Sequence, residues 1–459
     1  MSKSNKEYPT WRKWFFGAGD MAATLSHTII AFFFLIYLTD VIGIRPALAG
    51  SVVLIGKLWD AVTDPLVGHV SDNTRSRFGR RRIFLIAFAL PLGVSFFFLW
   101  ALPQGTSEMT VFTLAALAYM AHMTFVTLVM VPFQALLPEM VNDYDQRTSF
   151  TAYRMLFSIL GGLLAVAVPD IIIGGYTDKH TGFIVMAVIF AVIISISPLF
   201  PFFGCYEKAN PPKRQRFPGF KAYLKPIFSN SPFRLAVFIY FFTWSAISLV
   251  EAMFMYFFTY WLKKPDLFLI IVATLFILAA VFLPVWVKLS EKMEKRAAYM
   301  IGIIELAIAL SLVIFITPST PVWVIFVLIA FLALGVSAAH VMPHTLIPDC
   351  IDFGTLVSKK KSEGVYYGIV TFFQKMGVAV VIWISGIVLD IAGYINPEIY
   401  GEAVQPNSAL WAIRTMQGPV PAVILLLGVA FIYIYPITRN NHKAISRRLQ
   451  KREDSQNEL

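Results

Sequence analysis

Lys57-Leu-Trp-Asp-Ala-Val-Thr-Asp-Pro65 sets two aspartates, Asp60 and Asp64, one helical turn apart inside an apolar stretch running from about residue 46 to 70. A carboxylate in hydrocarbon costs roughly 2.5 to 3.5 kcal/mol on insertion scales, so an acid inside a membrane faces a cavity, a partner or an ion. Residues at i and i+4 share one helical face. Two acids there, with Thr63 between them and Lys57 one turn before, point to a cation site, the alternative being a charge-paired packing network, and oxygen ligands suit a hard cation such as sodium. One base against two acids leaves an excess negative charge that a cation would complete.

The surrounding chain agrees. Of 459 residues, 58% are hydrophobic and 14% charged, with a mean hydropathy of +0.69, far from a soluble average. Apolar segments long enough to cross about 30 Å of hydrocarbon recur near 14–40, 46–70, 83–103, 109–137, 149–173, 181–203, 234–262, 266–289, 297–317, 321–348, 363–393 and 408–437. The fold class is therefore an all-α polytopic membrane protein with twelve transmembrane helices. Met1 to Thr10 is polar and the first apolar segment is too long for a signal-peptide core, so no cleaved leader is expected.

The net charge of +11 is not the mark of a nucleic-acid binder, because its basic residues fall in alternate loops. They include Lys3 to Lys13, Arg75 to Arg82, Lys208 to Lys225, Lys288 to Arg296, Lys359 to Lys361 and the tail from Arg439 to Arg452. The opposite loops offer little beyond Arg45, Lys179, Lys263 and Lys264. The positive-inside rule then puts both termini in the cytoplasm, as an even span count requires. Cys205 and Cys350 give neither a disulfide framework nor a thiolate cluster.

Two echoes divide the chain. Pro65, Ser71 and the run Arg75-Ser-Arg-Phe-Gly-Arg-Arg-Arg82 return as Pro284, Ser290 and Lys292-Met-Glu-Lys-Arg296, and Val131-Pro-Phe-Gln-Ala-Leu-Leu-Pro-Glu139 returns as Val341-Met-Pro-His-Thr-Leu-Ile-Pro-Asp349, both offset by about 210 to 220 residues. A parallel repeat of two six-helix halves is the architecture of a major facilitator transporter. The expected division is 1–204 and 233–438 as the halves, with a basic linker at 205–232 and a tail at 439–459.

Trp59-Asp-Ala-Val-Thr-Asp-Pro-Leu-Val-Gly68 followed by Ser71-Asp-Asn-Thr-Arg-Ser-Arg-Phe-Gly-Arg-Arg-Arg82 resembles the glycoside-pentoside-hexuronide:cation symporter family. The likeness extends through Tyr37 to Gly43, Val131 to Glu139, Asp143 to Thr148, Tyr153-Arg154, Pro348 to Asp352 and Gly364 to Gly368. It implies a secondary symporter in the plasma (inner) membrane. Such a protein uses a sodium or proton gradient to take up a small polar solute, most directly a sugar or glycoside. No cofactor, enzymatic step, nucleic acid or obligate protein partner is expected.

The resemblance also assigns residues. It groups Asp60, Thr63, Asp64 and Thr127 as the cation site, with asparagine replaced by Thr63, and matches Lys57 to a basic family residue. Lys375, beside Thr371 in the eleventh span, matches a family lysine, and as a buried base it is expected to pair with the second-span acids or Asp20. Arg154 matches an arginine associated with solute hydroxyls, unless it snorkels to the cytoplasmic surface. The sugar-binding positions of galactoside-type members fall on Thr24, Met130, Gln134 and His340, where the expected acids and aromatic residues are missing, which counts against a galactoside site of that design. Asp20 is the first-span acid of the wider family. An amphiphile is the runner-up solute, since lysophospholipid symporters look similar in the same motifs. A transporter-like sensor is the reading from a different class.

Some residues stay open. Glu251 in the seventh span contacts solute, couples a proton or pairs internally. His340 and His344 have a spacing that can bind a metal or relay protons, but without an acidic third ligand at that depth they are expected to be cavity or packing histidines. Asp72, Arg75, Arg77, Arg81, Glu139, Asp143, Asp349 and Asp352 are expected to form ionic locks between the halves, whose breaking opens the cavity inward.

Overall fold

A computed structural model describes residues 8–141, 143–207, 230–358, 363–397 and 404–438, together with 441, 442, 444, 445 and 447–449 of the tail. Most of the basic linker and Lys359 to Lys361 lie outside the described residues. Among the described residues ten helices are long and apolar enough to cross a membrane. The first and third apolar segments supply two further crossings, each in shorter pieces.

The first crossing comprises α1 (Thr10–Ala18) and α2 (Met21–Ile29), continued by π turns at Ile30–Phe34 and Tyr37–Val41. It breaks at Gly19-Asp20, where a poor helix former meets a side chain that competes with the backbone. The second is α3 (Pro46–Asn73). The third is α4 (Arg82–Ala87) and α5 (Ala89–Trp100). Its break is explained by Pro91, whose ring opposes the carbonyl four residues back. Then follow α6 (Glu108–Met140), α7 (Tyr144–Gly174), α8 (Lys179–Ile196) and α9 (Leu199–Gly204). The rest are α10 (Ser231–Tyr256) with a π turn at Phe257–Trp261, α11 (Leu267–Lys292), α12 (Lys295–Leu312), α13 (Val322–Ser358), α14 (Glu363–Ile391), α15 (Asn407–Gln417) and α16 (Pro419–Tyr433). The twelfth crossing is interrupted at Gly418-Pro419.

The chain forms two compact units, residues 1–217 with 395–404, and 218–394 with 405–459. Within the first, α1 and α2 pack on α7, α3 on α6, and α5 on α8. Within the second, α10 packs on α14, α11 on α13, and α12 on α16. Each unit thus pairs its first crossing with its fifth, second with fourth, and third with sixth. The repeat reaches single hydrogen bonds. At the end of the first crossing, Ile42 and Ile44 donate to the carbonyls of Tyr37 and Leu38 at 3.0 and 3.1 Å, and at the end of the seventh, Leu262 and Lys264 donate to Phe257 and Phe258 at 2.9 and 3.0 Å.

Both ends then turn through a left-handed residue, Gly43 at φ 90° and Lys263 at φ 54°. Glycine adopts that conformation freely, whereas an L side chain costs about 1–2 kcal/mol. Lys263→Gly is therefore expected to stabilise the chain by about 1 kcal/mol, read as a higher midpoint of thermal unfolding. An unchanged or lower midpoint would show that the lysine compensates its strain.

Candidate functional site

Gly56 lets α3 and α6 approach closely, because a Cβ there would lie 1.7 Å from the Tyr119 ring. One turn further along α3, Asp60 is buried at 3% exposure, and Asp64 is half-buried. Across from them, Thr127 Oγ1 lies 2.8 Å from Asp60 Oδ1 and 3.1 Å from Asp64 Oδ1. A hydroxyl has one proton to donate, so the two carboxylates share the proton of Thr127. Thr63 Oγ1 donates to the Asp60 carbonyl at 3.1 Å, and Lys57 is buried. The Tyr119 hydroxyl is buried without a hydrogen-bond partner among the described residues. Two carboxylates and two threonine hydroxyls make an oxygen-rich set of the kind that hard cations take.

Thr127→Val removes the shared donor at nearly constant volume. It is expected to weaken cation binding about tenfold to a hundredfold, the loss of a hydrogen bond to a charged group. Thr127→Ser should retain most of the affinity. Titration of sodium-dependent uptake measures both, and equal half-saturation in Thr127→Val and the parent would exclude the hydroxyl as a ligand.

Beside this pair lies a histidine that sequence reasoning passed over. His122 of α6 is fully buried, with Nδ1 3.0 Å from Ser95 Oγ and Nε2 2.6 Å from Ser26 Oγ. Ser95 donates its own proton to the Leu92 carbonyl at 2.8 Å. Nδ1–H must then donate to Ser95, and Nε2 meets the Ser26 hydroxyl. The ring ties α2 and α5 to α6. The only signal in the chain was a histidine within the fourth apolar segment.

Asp20 and Arg154 meet at the break in the first crossing, with Arg154 Nε donating to Asp20 Oδ1 at 2.7 Å. The arginine is therefore held by a buried acid, in contrast to the snorkelling alternative. Gly17 makes room for α7, since a Cβ there would meet the Tyr153 carbonyl at 2.8 Å. Thr24 and Ser158 hydroxyls lie 3.2 Å apart. Met130 is buried and Gln134 exposed on α6. In the second unit Glu251, Thr371 and Lys375 are half-buried on α10 and α14, while His340 and His344 are exposed on α13.

At the basic-loop end of the first unit, Arg80 Nη2 donates to Glu139 Oε1 at 2.5 Å, and Arg81 Nε to the same oxygen at 3.1 Å. Arg81 also pairs with Asp72 and donates to Ser71 Oγ at 2.6 Å. Glu207, absent from the sequence expectations, accepts the backbone N–H groups of Arg80, Arg81 and Arg82, each at 2.7 Å. Its carboxylate occupies the space over Gly79, which turns at φ +104°. Arg75 and Arg77 are exposed, and Arg77 covers the Phe78 ring. Asp143 caps α7 by accepting from Gln146 N–H at 2.9 Å. In the second unit Lys295 bridges Asp349 at 2.9 and 3.0 Å, and His442 lies 3.5 Å from Asp349 and 3.0 Å from Asp352. The ion pairs described here for the expected lock residues each close inside one unit, and Asp143 serves a helix start.

An acid pair within paired membrane-crossing helices, in a chain built from two similarly paired six-crossing units, defines a polytopic membrane transporter of the major facilitator class. The chain belongs to the MFS/sugar transport protein family, whose model matches residues 15–439, and its homologues are symporters of that superfamily. It is a transporter and not an enzyme. A Synechocystis protein named as an uncharacterized symporter is 28% identical, with 96% of each chain covered. The sodium-dependent lysophosphatidylcholine symporter 1-A of Danio rerio is 25% identical over 98% of this chain and 90% of its own. A bacterial homologue of the human lysosomal transporter Spinster, solved inward-facing and occupied, superposes with a TM-score of 0.72 at 13% identity, covering 96% of this chain and 99% of its own. That likeness is one of fold.

Proposed function

We propose that this symporter couples an inward cation gradient, sodium in the first instance, to uptake of a small polar solute, a sugar or glycoside. The cation binds among Asp60, Thr63, Asp64 and Thr127. The observation that carries this reading is the single Thr127 hydroxyl reaching both acids. Two like charges held together need a cation or protons to offset their repulsion. Asp20, Lys57, Arg154, Glu251 and Lys375 are the charged side chains assigned to solute binding and coupling, beside Thr24, Met130, Gln134, His340 and Thr371. Arg154 already holds Asp20, so solute hydroxyls would compete for the same guanidinium. The protein sits in the inner membrane with both termini cytoplasmic, and works by alternating access.

A second solute reading, a lysophospholipid, has one feature in its favour. A groove of about 670 Å³ along α5 and α6 is lined by Leu90, Val94, Phe98, Leu114, Leu117 and Phe125 among others, and Ser95 is its one hydroxyl-bearing residue. Such a lining accepts an acyl chain, and the Danio rerio relative is named for a lysolipid.

Uptake of labelled sugars and lysolipids into proteoliposomes, with and without an inward sodium gradient, separates the readings. Sodium-stimulated sugar uptake supports the first, and lysolipid uptake alone supports the second. Uptake driven by a proton gradient and indifferent to sodium would reassign the ion. Solute binding without flux would make the protein a sensor and overturn both.

A further inference from the structure

Helix α13 carries His340-Val-Met-Pro-His344, two imidazoles one turn apart near the middle of a 37-residue helix. Both side chains are exposed. This is the spacing by which two histidines on one helix face bind zinc in metalloproteases, and Cβ atoms so placed are about 5–6 Å apart.

Each ring is held at its other nitrogen. Nδ1 of His340 lies 2.9 Å from the Val336 carbonyl. A carbonyl only accepts, so this nitrogen carries the proton and Nε2 keeps its lone pair. Nδ1 of His344 lies 2.9 Å from the hydroxyl of Tyr240, a residue buried at 1% exposure. In the Nδ1–H tautomer that hydroxyl accepts and the second Nε2 is likewise a lone-pair donor. Aromatic edges fix the ring planes, since Trp244 meets His340 at 5.2 Å and 71°, and Tyr240 meets His344 at 5.6 Å and 86°. A metal-binding histidine characteristically donates its second N–H to a carbonyl or another oxygen, which sets the tautomer and orients the ring. Here that outer support is present on His340, and on His344 in the Nδ1–H tautomer, and no hydrogen bond from either Nε2 occurs among the described residues.

We propose that His340 and His344 form a two-histidine site for a borderline divalent transition ion, such as Zn²⁺ or Ni²⁺, bound through both Nε2 atoms. Imidazole suits these ions. No group of three or more histidine, cysteine, aspartate or glutamate ligands occurs among the described residues, so the remaining coordination positions are open to water or to donor atoms of a solute. Two neutral ligands leave the ionic charge uncompensated, which keeps the affinity moderate and the ion exchangeable. The acidic third ligand whose absence argued for packing histidines is not required for a site of this kind.

The test uses the full chain with any affinity tag removed, purified in detergent and titrated with NiCl₂ or ZnCl₂ by calorimetry. One ion per chain is expected. His340→Ala and His344→Ala should each weaken binding at least tenfold, and Tyr240→Phe about tenfold through loss of ring support. His69→Ala and His180→Ala should leave binding unchanged. Cys205 and Cys350 are buried, so a thiol reagent reports whether each variant is folded. Any alanine variant that exposes them is replaced by His340→Gln or His344→Gln. Absence of binding to the parent chain, or equal affinity in the parent and either folded histidine variant, overturns the proposal.

Discussion

Asp60→Asn and Asp64→Asn are each expected to eliminate sodium-stimulated uptake while leaving the protein folded. Truncating one partner of a buried charge contact costs binding about 2–5 kcal/mol, or roughly thirtyfold to several thousandfold in cation affinity. Asp60 should be the more severe position, because it is buried while Asp64 is half-exposed by comparison. The shorter bond from Thr127 also goes to Asp60, 2.8 Å against 3.1 Å. Asparagine preserves the shape and can still accept from the threonine, so a loss reports the charge and not the packing. Lys57 gives the internal comparison. With one acid neutralised, its ammonium balances the other and the attraction for an added cation falls away. Sodium titrations of uptake in proteoliposomes decide the matter, and wild-type sodium dependence in both variants would remove the acid pair from the coupling scheme.

The second large effect is expected at the carboxylate seat of Glu207. Glu207→Ala leaves three consecutive N–H groups without their acceptor, and Gly79→Ala forces a Cβ to 2.8 Å from the carboxylate at a left-handed φ. Hydrogen bonds to charged groups contribute about 1.5–3 kcal/mol each, and solvent recovers part of the loss at a half-buried site. A net cost of about 3 kcal/mol lowers the midpoint of a unit this size by roughly 6–12 °C. Cys205, two residues before Glu207, is buried, and its reaction with a thiol reagent during heating follows the local opening. Midpoints within a degree of wild type in both variants would show that the seat is ornamental.

The crossings were legible in the chain because hydrocarbon thickness imposes a length and an apolarity that any window of sequence displays. Asp60 and Asp64 were legible for a related reason, since acids are conspicuous where solvation is absent, and the i,i+4 rule supplied their common face. What the sequence concealed shares one property. The partners of Glu207 are backbone amides, which no side-chain pattern marks. Asp20 and Arg154 are drawn together by packing of α1 and α2 on α7, a pairing that neither residue announces alone. His442 reaches Asp349 and Asp352 from beyond the last crossing, where composition indicates only a basic tail. The expected locks were read from charge alone, and charge specifies how many partners a residue wants without specifying which. The breaks at Gly19-Asp20 and before Ala89 were missed because a hydropathy window averages over them.

Each π turn in the first crossing, at Ile30–Phe34 and Tyr37–Val41, adds one residue to a helical circuit, which rotates everything beyond it by about 100°. A helical wheel drawn through residues 21–42 at uniform pitch therefore assigns the wrong side to residues past the first insertion. A cysteine or spin-label scan along this stretch should show a sinusoid of accessibility whose phase jumps after Phe34, the second π turn closing the helix at Val41, and a single unbroken sinusoid fitted to it would misplace the lining of the crossing from Leu35 onward.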